Sequence, residues 1–253
     1  MSALAPGKKI YFISDFHLGI PDREKSLERE KKIVRWLESI RHDAQVLFLM
    51  GDVFDYWFEY SEAVPKGYVR LLGKLAELSD SGIELHYFTG NHDMWVFDYF
   101  HQEMGIRIHR DTIVKEYNGK SFFLGHGDGL GPSDYGYKLI KSVFANPVCQ
   151  WLFARIHPNT GIRIMKFFSR KSRLATGGDD GEFKGEENEW LVLFCKDQLA
   201  RKHFDFFIFG HRHLPLDITL NGSSRYINLG EWLHHCMYAE FDGKDLRLLP
   251  FSN

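Results

Sequence analysis

The chain has 253 residues, enough for one or two domains with a sizeable core, and its 32 basic and 34 acidic side chains leave a formal charge of −2. That balance removes any overall electrostatic case for nucleic acid. Cys149, Cys195 and Cys236 lie far apart without C-x-x-C spacing, which speaks against a disulfide framework or a zinc knuckle and suits a reducing compartment. Residues 1–9 lack the apolar core of a signal peptide, and no stretch approaches the roughly 20 apolar residues that span a bilayer, so a soluble, cytoplasmic protein is expected.

The first apolar run, 10–13, reads as a buried strand and leads to Asp15 and His17. Residues 22–41 are highly charged but carry Leu27, Ile33, Val34, Leu37 and Ile40 at helical spacing, as a surface helix does. A second strand, 46–50, breaks at Gly51-Asp52. Tyr56, Trp57, Phe58 and Tyr60 follow, either as core or as the wall of a substrate cleft. A helix over about 65–80 presents Val69, Leu72, Leu75 and Leu78, and Gly82 ends it. The strand 85–88 then leads to Gly90-Asn91-His92-Asp93, so the first third alternates β, α, β, α, β.

The strand 121–124 leads to Gly125-His126-Gly127-Asp128, after which the rhythm changes. Residues 128–186 read as two or three helices punctuated by Pro147 and Pro158, with no convincing strand. A broad apolar side is interleaved with Lys138, Lys141, Arg155, Arg163, Lys166, Arg170, Lys171 and Arg173. This segment is either a helical hairpin with solvated charges or a cap whose apolar side accepts an acyl chain while its cations face phosphates. The 176–181 stretch, rich in Gly and Asp, reads as a mobile loop. A helix over about 187–202 leads into the strand 206–209, which ends at Gly210-His211-Arg212-His213. Two further strands are expected around 224–228 and 237–241, both closing the second sheet, with Asn228-Leu229-Gly230 as another strand-end turn of unassigned role.

Five apolar runs thus end in metal-capable side chains. If they are neighbouring strands, the ligands arrive together at the carboxyl edge, where open α/β sheets bind their ligands. Asp15, His17, Asp52, Asn91, His126, His211 and His213 mix oxygen donors with imidazole and include no thiolate, which suits Mn²⁺, Fe²⁺ or Zn²⁺. Seven side chains are too many for one catalytic ion and suit two with a bridging carboxylate. Two ions about 3.5–4 Å apart clamp a phosphoryl group and generate hydroxide, so the expected chemistry is hydrolysis at phosphorus.

Asp15-x-His17, Gly51-Asp52-x-x-Asp55, Gly90-Asn91-His92-Asp93, Gly125-His126-Gly127-Asp128 and Gly210-His211-x-His213 resemble, in this order, the five signature blocks of the calcineurin-like metallophosphoesterases. The resemblance implies a four-layer α-β-β-α sandwich of mixed α/β class over 8–250, with a helical cap inserted at 132–185. It implies that Asp15, His17, Asp52 and His213 hold one metal, and Asp52, Asn91, His126 and His211 the other. It further implies that His92 contacts the phosphate and protonates the leaving group, with Asp93 orienting it, a role suited to histidine near neutral pH.

Asp128-x-Leu130, Asp134-x-x-Tyr137, Asn146-Pro147, Gln150-x-Leu152-Phe153, Pro158, Ser172 and also Trp57 are similar to positions in the UDP-2,3-diacylglucosamine pyrophosphatases of lipid A synthesis. That group is Mn²⁺-dependent and peripheral to the inner membrane, and releases UMP and 2,3-diacylglucosamine 1-phosphate by metal-activated water. The resemblance places Trp57, Asn91, His92, Asp134, Tyr137 and Ser172 at the substrate. Its known members carry arginine where this chain has His92, which leaves room for a different phosphodiester, nucleotide or phosphomonoester substrate.

Overall fold

The computed structural model describes residues 3–131, 135–176, 182–183 and 185–252. In chain order these form β1 (Lys9–Ile13), α1 (Arg23–Ile40), β2 (Ala44–Leu49), α2 (Val69–Asp80), β3 (Glu84–Phe88), α3 (Tyr99–Met104) and β4 (Arg107–His109). Next come β5 (Ile113–Tyr117), β6 (Lys120–Leu124), α4 (Tyr135–Ala145), α5 (Pro147–Phe153), α6 (Pro158–Thr176) and α7 (Trp190–Leu199). The chain closes with β7 (Phe206–Phe209), β8 (Pro215–Leu220), β9 (Ser224–Leu229), β10 (Met237–Phe241) and β11 (Leu246–Pro250).

The strands make two sheets, ordered β11-β10-β1-β2-β3-β4 and β5-β6-β7-β9-β8. Successive side chains on a strand point to opposite faces, and both faces are used here. Ile10 and Phe12 of β1, with Val46 and Phe48 of β2, pack between the sheets against Phe122, Leu124, Phe206 and Ile208. Tyr11 and Ile13, with Leu47 and Leu49, pack outward onto Trp36 and Leu37 of α1 and onto Leu71, Leu75 and Leu78 of α2. On the far side Phe207, Phe209 and Tyr226 meet Leu191, Val192 and Cys195 of α7. The result is the α-β-β-α sandwich, and it explains why the central strands are apolar runs rather than alternating ones.

Local chemistry sets the helix limits. Asp22 caps α1 by accepting from Lys25 N at 2.9 Å, and Asn146 caps α5 ahead of Pro147 in its first turn. The helix expected from about 65 begins only at Val69, because Tyr68 stands in the left-handed region with φ 56°. Likewise the helix expected from about 187 begins at Trp190, after a turn over 186–188. Among the described residues the 128–186 segment holds three helices, and the expected 176–181 loop lies, from residue 177 onward, outside them.

One strand assignment is corrected. β9 joins the second sheet as expected, but β10 pairs antiparallel with β1 in the first. The reason is Trp232, which buries itself against Phe16 and Trp36 on the α1 side and so carries the chain across to the first sheet.

Candidate active site

β1, β2 and β3 are parallel neighbours in register, with Ile13 opposite Leu49 and Leu49 opposite Tyr87. β6 and β7 are parallel neighbours in the other sheet, Leu124 opposite Ile208. Their carboxyl ends therefore open at one edge of the sandwich. Backbone bonds fix the loops there: Asp15 N donates to Gly51 O at 3.0 Å, His17 N to Asp52 O at 3.0 Å, and Gly210 N to His126 O at 2.9 Å. Gly90 is required by contact, since a Cβ there would fall on Asp52 Oδ1 and its backbone nitrogen. Among the described residues nine other than glycine have positive φ, and five of these are Asp15, His17, Asp52, His211 and His213. Backbone strain is thus concentrated at this edge, as it is at functional sites in general.

All seven side chains expected to be ligands converge. Asp15, His17, Asp52 and His213 form one group whose donor atoms lie within 4.8 Å of one another, and Asp52, His126 and His211 form a second. Asn91 Oδ1 completes the second at 2.9 Å from His211 Nδ1 and 3.3 Å from His126 Nε2. Asp52 belongs to both. Asp15 Oδ1 and Asp52 Oδ2 are buried oxygens without a hydrogen bond, and each faces imidazole nitrogens. Asp15 Oδ1 is 3.2 Å from His213 Nε2, and Asp52 Oδ2 is 3.4 Å from His126 Nε2 and 3.8 Å from His17 Nε2. Buried carboxylate oxygens are costly unless a partner takes their charge, so this donor set fits two divalent cations sharing Asp52.

The electrostatics agree. Burial acts to raise Asp15 and Asp52, but the surrounding histidines outweigh it and hold both carboxyls far below their usual range. Burial acts to lower His17 and His126, yet the facing carboxylates push both up to about 10. A cation held by these rings would have to compete with their protonation. His211 goes the other way, down to about 4, from burial and the nearby His126.

His92 borders this group. Its backbone N donates to Asp52 Oδ1 at 2.8 Å, and its ring meets that of His17 edge-on at 5.0 Å. His92 Nδ1 lies 3.1 Å from the Asp55 carbonyl oxygen and 3.8 Å from Asp55 Oδ1. Burial lowers its pKa against the pull of Asp52 and Asp55.

A family model for calcineurin-like phosphoesterase matches residues 8–215, and all five strand-end turns lie within that span. The chain belongs to the calcineurin-like phosphoesterase family. Members of this family are metal-dependent hydrolases with a dinuclear divalent metal site, and the two donor groups sharing Asp52 suit one. The chain is 42% identical over 252 residues to the UDP-2,3-diacylglucosamine hydrolase of Porphyromonas gingivalis, covering 95% of this chain and 96% of that protein. It is 27% identical to the UDP-2,3-diacylglucosamine hydrolase of Ectopseudomonas mendocina, covering 96% and 98%. Among solved structures, the Escherichia coli phosphoesterase Yfce is similar at a TM-score of 0.45 and 15% identity, covering 94% of this chain and 90% of that one.

Around the two donor groups of this phosphoesterase, some expectations need correcting. Asp93 turns away from the His92 ring. Its carboxylate accepts from Val53 N at 2.8 Å, Gly90 N at 2.7 Å and the Tyr87 hydroxyl at 2.5 Å, and so clamps the Asp52 loop to the Asn91 loop. Asp55 faces the ring instead. Trp57, expected at the substrate, is fully buried among Phe54, Tyr99 and Phe100, with its indole N–H on Glu59 at 3.0 Å. The aromatic run is therefore core at Trp57, and it becomes a contact with the inserted helices at Phe58, whose ring lies 4.8 Å from that of Phe153. Asp134 falls outside the described residues. Tyr137 and Ser172 lie on α4 and α6, with side chains outside the description.

Two positioning contacts had no sequence signal. Arg212, between the two histidines, makes a bidentate pair with the buried Glu189 at 3.0 and 3.1 Å, ahead of α7. Arg29 of α1 donates to the His17 carbonyl at 2.6 Å.

Proposed function

We propose that this phosphoesterase hydrolyses the pyrophosphate bond of UDP-2,3-diacylglucosamine, yielding UMP and 2,3-diacylglucosamine 1-phosphate. The observation that carries this reading is the 42% identity, over nearly the whole of both chains, to a UDP-2,3-diacylglucosamine hydrolase. Asp15, His17, Asp52 and His213 would hold one divalent cation, and Asp52, Asn91, His126 and His211 the other, with Mn²⁺ as the expected metal. Such cations, when bound, neutralise phosphoryl oxygens and acidify water.

The protein's own groups do the rest. His92 stands at the edge of the donor set, where it donates to a phosphoryl oxygen and supplies a proton to the departing sugar phosphate. Asp55 fixes the ring through Nδ1, so Nε2 is the nitrogen left for substrate. Asp93 keeps the Asp52 and Asn91 loops at a constant separation.

Residues 132–185 act as a cap on the 8–250 domain. Trp95 anchors it, donating to Phe144 O at 2.8 Å and packing on Phe153 at 4.7 Å. Val148, Trp151, Leu152, Phe167 and Phe168 are more than half exposed and give the cap an apolar exterior suited to acyl chains and to the surface of the inner membrane. No helix among the described residues is long and apolar enough to cross a membrane, and the location proposed for the enzyme is peripheral, on the cytoplasmic face.

The test is incubation of the Mn²⁺-loaded protein with UDP-2,3-diacylglucosamine, unacylated UDP-sugar and an aryl phosphodiester. UMP release from the acylated substrate alone is the expected result. Turnover of the simple ester without preference for the acylated substrate would return the choice to a general phosphodiesterase.

A further inference from the structure

A cleft of about 1510 Å³ opens beside the donor groups, reached past Asp55 and Tyr56 and walled by the loop before α1, the start of α2 and one face of α6. Arg23, Lys66, Arg70, Arg163, Lys166 and Arg170 line it. Among the described residues none of these six has a carboxylate partner. Three acids also line the wall, and each is engaged: Asp22 caps α1, Glu30 accepts from Arg70 N at 2.9 Å and Leu71 N at 3.2 Å at the start of α2, and Asp55 accepts from the Ser169 hydroxyl at 2.6 Å. With six cations against three carboxylates, the lining keeps a net positive charge.

We infer that this cleft receives the nucleotide half of the substrate, binding a uridine monophosphate group between α6 and the α1 and α2 entrances. The inference rests on the substrate proposed above. A pyrophosphate cleaved at the donor edge has two halves of opposite character, and the surfaces beside that edge differ in the same way. Burying an acyl chain here would strip water from six cations without giving them an anion. A nucleoside phosphate supplies the anion, and Tyr56, Pro21 and Pro65 offer flat walls to a pyrimidine ring. The exposed apolar side chains Phe167 and Phe168 lie outside this lining, although they share α6 with Arg163, Lys166 and Arg170. That division leaves apolar surface for the acylated half.

The experiment measures UMP binding by calorimetry, together with steady-state kinetics, in the full-length wild type, in an Arg163→Glu/Arg170→Glu variant and in a Lys66→Glu variant. Lys66 belongs to the core side of the cleft, so the two variants separate loss of the binding surface from displacement of α6. Both are expected to weaken UMP binding at least tenfold and to raise KM for UDP-2,3-diacylglucosamine by a similar factor. Turnover of a bis-aryl phosphodiester should stay within twofold, reporting an intact fold and metal site. Unchanged UMP affinity in both variants overturns the inference, as does selective loss of inhibition by 2,3-diacylglucosamine 1-phosphate. If the wild type binds UMP in this cleft yet fails to cleave the acylated substrate, the proposed reaction falls and the nucleotide site stands.

Discussion

The Ser169 hydroxyl, on α6, donates to Asp55 Oδ2 at 2.6 Å, and Ser169 Oγ itself lies 3.3 Å from His92 Nδ1. A residue of the inserted helices thus reaches through to the group that orients the ring beside the donor edge. Seating of the cap and alignment of His92 are one geometric event. Ser169→Ala removes a hydrogen bond to a charged group, worth about 1.5–3 kcal/mol, so kcat should fall roughly tenfold while KM changes little. Ser169→Thr keeps the hydroxyl and should recover most of the loss. A tenfold rise in KM at constant kcat would show instead that Ser169 binds substrate.

Asp93 holds the Val53 and Gly90 N–H groups and the Tyr87 hydroxyl in a fully buried position. In Asp93→Ala the Val53 and Gly90 N–H groups lose their acceptor, at about 1–3 kcal/mol each. The expected outcome is a lower urea midpoint together with loss of bound metal, because Asp52 and Asn91 are carried by the two loops it joins. Metal analysis after gel filtration checks this; a stable, fully metallated variant would assign Asp93 a role at the substrate instead.

The five strand ends were legible because a central strand buried on both faces is an unbroken apolar run, and a glycine-bordered polar residue after it is conspicuous. The four strands not anticipated from the sequence, β4, β5, β8 and β11, are the edges of the two sheets. Half-exposed edge strands such as Ile113–Tyr117 need no such run. Ser169 was illegible for another reason: its partner Asp55 lies 114 residues away, and a serine in a basic helix has no signal of its own. Trp57 was misplaced because aromatics beside a ligand turn look alike in sequence whether they face a cleft or, as here, Phe54 and Phe100. The sheet joined by β10 was also undetermined, since alternation shows which face of a strand is buried but not its neighbour.

Away from the site, His86 predicts a pH-dependent stability. It is buried against Phe48, with Nδ1 2.8 Å from His109 Nε2, and burial, with His109, Lys115 and Arg107, pushes its pKa down to about 3. The unfolded chain binds this proton near pH 6.5 and the folded chain does not, so between about pH 6.5 and 3 the unfolded state carries the extra proton. Its contribution to stability is therefore present above 6.5 and lost as pH falls toward 3. Lowering the pH from 7 to 5 should cost about 1–2 kcal/mol through this group alone. His86→Phe should flatten that part of the urea-denaturation slope, and an unchanged slope would place the acid sensitivity elsewhere.

His92 tests what the leaving group needs. It belongs to neither of the two donor groups that share Asp52, so His92→Ala should keep its metal. Its turnover of UDP-2,3-diacylglucosamine should nonetheless fall at least about 100-fold, within the range that a positioned proton donor contributes. His92→Arg is the more informative change. A sugar phosphate departs as a stable anion and requires only a fixed positive charge, which guanidinium supplies, so this variant should retain turnover within about tenfold. An ester with an alkoxide leaving group requires a proton that arginine does not release, and its hydrolysis should fall as far as in His92→Ala. Equal losses on both substrates would show that the position requires the imidazole itself, fixed by Asp55 and Ser169, and that a charge alone does not replace it. Full activity of His92→Ala on both would remove the residue from the reaction.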